Sequence, residues 1–507
     1  MPTLSITETP AELASKFINN TSRHIFLTGK AGTGKTTFLK HIIKHTYKNA
    51  VIVAPTGIAA INAGGVTIHS LFQLPPGVFV PAKTEINGFF ENQKVNTALT
   101  LIRNAHLGAN KRKLLQELEL LIIDEVSMMR ADLLDAIDTV LRSVRKKNHI
   151  AFGGVQVLFI GDLLQLPPVI KDAEWTFLKP YYKSIYFFEA LALQENKPLY
   201  IELDKIYRQA DDVFINLLNN LRNNQITAED ITLLNQYYQP NIKVKAEDNC
   251  IQISTHNFKA DAINKEALQQ IKNPSFYFKA LVDGDFNEYS YPVEVRLELK
   301  LGAQIMFVKN DPTGAQRFFN GRIGKIIYID DSTIEVVCEN DTRTITLDRY
   351  EWKNIKYTVN ATNEIEESII GTFTQYPIKL AWAITVHKSQ GLTFSKAIID
   401  IGNAFAPGQV YVALSRLTSL NGLILSSAIN LNALSQDNVI VEYAKTKNNA
   451  AHLAQILTQE ARTFFRNSIL QAFNFSELST KINNHNNGYD QDGQKSTKKS
   501  TLLGGNN

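Results

Sequence analysis

A chain of 507 residues is too long for one hydrophobic core, because cores stop growing near about 250–300 residues, so two large lobes or more are expected. Hydrophobic residues at 44% and charged residues at 20% describe an ordinary globular protein, and a formal charge of +4 excludes uniform, histone-like binding of nucleic acid. Cys250 and Cys338 stand far apart, which excludes a disulfide framework or a cysteine zinc site, and no apolar run approaches the roughly 18 residues of a membrane helix.

In chain order, the amino terminus "MPTLSITETPAELASKF" carries acids and lacks the apolar core of a targeting peptide, so a cytoplasmic protein is expected. Short apolar strands follow: "IFL" at 25, "VIV" at 51, "LLIID" at 120, "VQVLFI" at 155 and "LYIEL" at 199. Separated by helical or loop segments, they predict a parallel α/β sheet.

Between the first strand and the amphipathic "FLKHIIKH" lies "GKAGTGKTT", which fits the phosphate-loop pattern in its strand, loop and helix setting. Glycines let backbone N–H groups curl around phosphate oxygens at a helix amino terminus, where the dipole favours negative charge. Gly29, Ala31, Gly32, Thr33, Gly34, Lys35, Thr36 and Thr37 are therefore expected to hold nucleotide phosphates. Lys35 should reach the β and γ phosphates, and Thr36 should ligate Mg²⁺.

The stretch "LLIIDEVSMM" supplies the partner acids: Asp124 for the metal, and Glu125 to orient or deprotonate the attacking water. Leu133, Leu134, Ile137, Val140, Leu141 and Val144 then recur at helical spacing after Asp132. "VLFIGDLLQLPP" ends a buried strand in a turn bearing Asp162 and Gln165. Gln165 can donate to a γ-phosphate oxygen while its carbonyl accepts from water or a facing arginine; Asp162 is expected to orient neighbours.

Two arginines, Arg208 in "KIYRQ" and Arg416 in "VYVALSR", suit the charge developing on a transferring γ-phosphoryl group. A second α/β region is suggested by "CIQIS" at 250, "KAIIDI" at 396 and "LILSS" at 423, with the polar cluster His387–Gln390 before one of its strands. Residues 301–370 hold β-rich runs split by turn signals and predict a small inserted β-barrel. From 476 the chain turns Asn, Gly, Lys and Ser rich, and a disordered tail is expected.

"FLTGKAGTGKTT", "VAPTGIAAINAGGVTIHSLF", "LLIIDEVSMMRADLLDAIDTVLRSVRKK", "FGGVQVLFIGDLLQLPPV", "KIYRQ", "AWAITVHKSQG" and "VYVALSR" occur in one order over roughly residues 20 to 425. That order resembles the PIF-type (petite integration frequency) DNA helicases, in the 5′-to-3′ branch of superfamily one, related to RecD helicases. The resemblance implies an α/β fold of two RecA-like P-loop lobes with a small SH3-like β-barrel inserted in the second. Lobe 1 would span 1–195, with a wedge insertion near 71–110. Lobe 2 would span 196–300 and 371–445, the barrel 301–370, a C-terminal helical segment 446–475, and the tail 476–507.

By the same resemblance Lys35, Asp124, Glu125, Gln165, Arg208 and Arg416 are the catalytic set, and Gly391 joins the nucleotide contacts. Pro55, Thr56, Gly57, His69 and Ser70 would meet DNA from the first lobe, and His387, Lys388 and Ser389 from the second. ATP and Mg²⁺ are the implied cofactors; single-stranded and tailed duplex DNA are the implied partners of a monomeric, nucleoid-associated motor. One departure stands out: Glu12 sits where the family commonly has a glutamine that reads the adenine edge. An ATPase that displaces bound proteins without processive unwinding stays open as the alternative.

Overall fold

The computed structural model describes residues 8–82, 95–104, 107–205, 211–223, 225–240, 242, 250–313, 317–338, 341, 343–360, 362–401, 408–429 and 437–486. Six parallel strands form the first sheet, in the spatial order Val66–Thr67, Ala50–Ala54, Leu120–Ile123, Gln156–Ile160, Ile25–Gly29 and Leu199–Leu203. Strands covered on both faces read as unbroken apolar runs, because successive side chains enter opposite cores. Thus Phe26, Val53, Leu121, Ile123 and Phe159 fill one core, while Ile25, Leu27, Ile52, Ile122 and Ile160 fill the other. The carboxyl ends of these strands carry the phosphate loop, Asp124–Glu125 and the Asp162–Gln165 turn on one edge, where parallel α/β sheets place ligands.

A second parallel sheet runs Ala383–Thr385, Ile251–Ser254, Ala397–Asp400 and Leu423–Leu425. Its own core packs Ile251, Ile253 and Ile399 against Phe214, Leu217 and Leu221 of the helix Asp212–Arg222. Two parallel-sheet α/β cores of this kind fit the RecA-like helicase fold.

The β-rich region expected as one unit at 301–370 contributes strands to two sheets. Thr344–Thr346, Ile334–Cys338, Ile323–Ile329, Gln304–Phe307 and Ile378–Leu380 form a five-stranded antiparallel sheet. The long hairpin Tyr350–Val359 and Ile365–Gln375 leaves it, pairs with Leu281–Gly284, and carries its tip onto the first lobe. There Tyr357 is buried in the first lobe's core, and the Asn49 side chain bonds the Asn363 carbonyl at 3.1 Å and the Ile365 amide at 3.2 Å.

Within 71–110, Val78–Val80 pairs with Val95–Thr97, and both pack toward the helix Ala131–Arg145; residues 83–94 and 105–106 lie outside the described residues. Helix Ala450–Ala472 returns to the first lobe, burying Leu453 there. The expected disordered tail needs correcting at its start: Ser476–Asn486 is helical, with Asn474 Oδ1 accepting from the Ser476 amide at 3.1 Å and capping the entry. Residues 487–507 lie outside the described residues. Among the described residues, no helix is long and apolar enough to cross a membrane.

Candidate functional site

The strand Ile25–Gly29 turns into the helix Lys35–His45 through a loop that Gly32 and Gly34 enter with φ of 83° and 86°. Those left-handed angles cost a side chain energy and cost glycine nothing. Lys35 Nζ folds back to donate to the Gly29 carbonyl at 2.7 Å and the Lys30 carbonyl at 3.1 Å, and Thr36 and Thr37 are exposed at the helix start. The loop forms one wall of a 1230 Å³ cleft. Glu125 and Gln165 continue that wall, and Phe319, Gly391, Thr393 and Arg416 face it from the other side. The lobes meet directly beside the loop, where the Ala31 amide donates to the Tyr411 hydroxyl at 3.3 Å.

Asp124 and Glu125 follow the strand Leu120–Ile123, and Glu125 lines this cleft. Glu125 holds a left-handed backbone, φ 52° and ψ 44°, which is costly for a non-glycine residue and turns its carboxylate across the strand ends. Burial lifts the Asp124 carboxyl above the usual carboxylate range, opposed by the Glu125 amide and the Lys35 charge. Burial and then the Asp124 charge lift Glu125 well above the usual carboxylate range, opposed by Lys35 and Arg416. A carboxyl whose proton affinity is raised in this way is better suited to taking a proton from water than an ordinary surface carboxylate.

Gln165 is nearly buried, and both ends of its amide are engaged. Its Nε2 donates to Asp162 Oδ2 at 3.5 Å, and its Oε1 accepts from Gln390 Nε2 at 3.0 Å. Gln390 Nε2 also donates to Glu125 Oε2 at 2.7 Å, so one second-lobe amide touches both first-lobe groups. Asp162 accepts from the Leu164 amide at 3.2 Å and from Arg222 Nη2 at 3.5 Å, and Arg222 Nη1 reaches Glu202 at 2.9 Å. From sequence, Gln390 was named only as a member of the His387–Gln390 cluster, with no role assigned, and Arg222 was not picked out. The only signal was Gln390's position in the "VHKSQG" cluster, since its partners lie 265 and 225 residues away.

Arg416 lies 1% exposed behind Gly391. Its Nε donates to Val412 O at 2.8 Å, and its Nη1 to the carbonyls of Ser389 at 3.5 Å and Leu392 at 3.4 Å, so it braces the turn that carries Gln390. Arg208 falls outside the described residues. Glu12 does not line the cleft: its carboxylate accepts from the Thr9 amide at 2.9 Å in a capping box at the start of the helix Pro10–Asn20. Glu8, Thr9, Pro10 and Ala11 line the cleft in its place.

The residues expected to meet DNA sit at strand ends in both lobes. Pro55, Thr56 and Gly57 follow the strand Ala50–Ala54, with Thr56 Oγ capping the helix Gly57–Ala63 through the Ala59 amide. Ser290 lies against Gly57; a Cβ there would meet its hydroxyl at 3.0 Å. His69 and Ser70 are exposed on the short helix Ile68–Phe72. His387 is half-buried and Lys388 exposed on the turn Val386–Ser389, beside the strand Ile251–Ser254. Ser389 departs from expectation: it is fully buried, its hydroxyl donating to the Val386 carbonyl at 2.7 Å, because the turn needs an internal cap there.

A family model described as PIF1-like helicase matches residues 9–232, and a second model, described as helicase, matches 350–465. The ATP-dependent DNA helicase Pif1 of Campylobacter jejuni is 30% identical over 452 residues, covering 84% of this chain and 95% of its own length. This chain belongs to the PIF1-like helicase family. The human ATP-dependent DNA helicase PIF1 is 32% identical over 417 residues, 79% of this chain and 57% of that longer protein. The crystal structure of Bacteroides sp Pif1 in complex with ADP-AlF4 is 40% identical, with a TM-score of 0.77 over 87% of this chain and 96% of that one. Bacteroides Pif1 bound to ssDNA, also 40% identical over 88% of this chain and 97% of that one, gives a TM-score of 0.58.

Proposed function

We propose that this chain hydrolyses ATP to move 5′ to 3′ along single-stranded DNA and to unwind tailed duplexes. The observation that carries the reading is the shared cleft: phosphate loop, Glu125 and Gln165 on one lobe, Gly391 and Arg416 on the other. Relatives bearing the name ATP-dependent DNA helicase, and the Bacteroides Pif1 structures with ADP-AlF4 and with ssDNA, support it.

In this reading the loop amides hold the β and γ phosphates, and Lys35 leaves the Gly29 and Lys30 carbonyls to reach them. The hard oxygens of Thr36 and Asp124 would hold magnesium, which would supply charge neutralisation on the phosphates. Glu125 takes a proton from water as the water oxygen bonds to the γ phosphorus and the bond to the β-bridging oxygen breaks, yielding ADP and phosphate. Arg208 and Arg416 stabilise the charge developing on the transferred group as the lobes close.

Pro55, Thr56, Gly57, His69 and Ser70 on one lobe, with His387 and Lys388 on the other, track the strand's phosphates without reading bases; Ser389 holds the second-lobe turn in shape. We read the antiparallel sheet between residues 304 and 380 as the SH3-like barrel, and the motor as a monomer acting at the nucleoid. Two of the expected boundaries move in this reading: lobe 1 runs past 195 to include the strand Leu199–Leu203, which pairs in the first sheet, and the insert runs past 370 to include Ile378–Leu380, leaving the rest of 204–300 and 381–445 to lobe 2.

The test is strand release from duplexes bearing a 5′ or a 3′ single-stranded tail. Release from the 5′-tailed substrate alone, abolished by Lys35→Ala, is expected. Release from the 3′ tail would reject the polarity, and DNA-stimulated hydrolysis without any strand release would favour the protein-displacing ATPase.

A further inference from the structure

We infer that Gln390 is the positioning residue that ties the state of Glu125 and Gln165 to the DNA-contacting turn of the second lobe. The inference rests on the helicase reading above and adds a named connection to it.

Three observations meet at this side chain. Its amide donates to Glu125 Oε2 at 2.7 Å and to Gln165 Oε1 at 3.0 Å, so it bridges the hydrolytic carboxylate and the γ-phosphate-facing amide. It is the residue directly after the turn Val386–Ser389, which presents His387 and Lys388. The turn is stiff. Thr385 Oγ caps it through the Lys388 amide at 3.4 Å, Ser389 Oγ closes it on Val386, and Arg416 holds the Ser389 and Leu392 carbonyls on either side of Gln390. Gly391 follows with φ of 81°, so the chain turns sharply just past Gln390.

The chemistry follows from the donor count. A primary amide nitrogen has two N–H groups, and Gln390 has both directed at the first lobe. While they are so placed, one carboxylate oxygen of Glu125 is occupied, and Gln165 presents its Nε2 toward Asp162. A γ-phosphate oxygen that draws Gln165 Nε2 away pulls on Gln390 through Gln165 Oε1. A phosphodiester strand that shifts His387 and Lys388 moves the same side chain from the other end. Displacing it frees Glu125 to accept from water. Gln390 therefore holds hydrolysis back until DNA seats, and each lobe reports to the other through one amide.

The experiment measures steady-state ATP turnover by the full chain, with and without oligothymidylate, across ATP concentrations. It compares wild type with Gln390→Ala and with Gln390→Met, which keeps length and packing but removes both N–H donors. Both variants are expected to raise DNA-free kcat and cut the stimulation ratio about tenfold, the size of effect a charge-assisted hydrogen bond supports, with KM for ATP within about twofold. Thermal melting checks that both remain folded. A stimulation ratio unchanged in either variant overturns the inference, as does Gln390→Met behaving like wild type while Gln390→Ala does not, which would make the residue mere packing. A parallel fall of kcat with and without DNA also overturns it. Wild-type turnover indifferent to the oligonucleotide would instead sink the helicase reading, and the connection with it.

Discussion

At the scale of single residues, Asp162 shows how a side chain acquires meaning from a partner that sequence spacing cannot reveal. It is 1% exposed, at the end of the strand Gln156–Ile160, and its counter-charge comes from Arg222 on the helix Asp212–Arg222 of the other lobe. Arg222 also pairs with Glu202, whose second oxygen takes Lys447 at 2.8 Å. Burial works against the Arg222 charge, but Asp162 and Glu202 hold its guanidinium firmly ionised. Removing one member of a buried pair leaves the other charged and dry, at a cost of about 3–5 kcal/mol. Arg222→Ala should therefore shift the first urea-unfolding transition down by a loss of that order. The triple change Arg222→Leu, Asp162→Asn, Glu202→Gln should recover much of it, because no charge is then stranded. A single variant as stable as wild type would show that this cluster does not join the lobes.

At the scale of elements, His24 enters the strand Ile25–Gly29 as a neutral buried ring. Its Nδ1 accepts from the Val157 amide at 3.1 Å, and its face meets the Phe152 ring edge-on at 5.1 Å. Burial first, and then the Arg23 charge, push it down from the usual 6.5 to about 4. The unfolded chain takes up this proton near pH 6.5, while the folded chain resists until about 4. The neutral ring's contribution is therefore whole above 6.5 and lost as pH falls toward 4, by about 3 kcal/mol. The substitution His24→Gln would keep an acceptor for the Val157 amide without titrating. The difference in urea midpoint between wild type and His24→Gln should hence change by that order between pH 7.5 and 4.5. A constant difference would mean that His24 takes up its proton at the same pH in the folded and unfolded chain, so that burial does not hold it neutral.

Elements also mark what was legible. The phosphate loop and the apolar stripe of Ala131–Arg145 were readable because both depend on spacing within one segment. The same helix buries Asp132, Asp135 and Asp138, which accept from the amides of Phe79, of Leu191 and Ala192, and of Phe152. Those acids tie three distant turns to one helix, and nothing local distinguishes them from solvated charges. The hairpin Tyr350–Val359 and Ile365–Gln375 was legible as β-structure but not as a strap across to Asn49, because strand partners are chosen by tertiary register. The roles of Gln390 and Arg222 stayed hidden because their partners lie far away in the chain.

At the scale of the whole molecule, the chain's far end closes its beginning. The strand Leu199–Leu203 is the edge of the first sheet, and an uncovered edge is both unsatisfied and adhesive. Asn448 covers it, accepting from the Tyr200 amide at 2.8 Å and donating to the Tyr200 carbonyl at 3.2 Å. Leu453 then enters the core with Leu13, Phe17 and Ile201, and Glu460 pairs with Arg23 at 3.1 Å. Farther on, Phe473, Phe475, Leu478 and Ile482 are exposed and contribute nothing to that core. Deleting 473–507 should leave the melting temperature within about 2 °C, since exposed side chains away from caps and cores change stability little. Deleting 447–507 should lower it by about 5 °C or more, from the lost burial of Leu453 alone at about 2–3 kcal/mol plus the opened edge. The damage should reach the nucleotide. Gly29 packs so closely on the edge strand that a Cβ would meet the Leu203 carbonyl at 2.8 Å, so loosening that strand loosens the phosphate loop. ADP affinity, measured by fluorescence titration, should fall for the longer deletion and hold for the shorter. Equal losses from both deletions would place the stabilising contact beyond residue 472 and refute the argument.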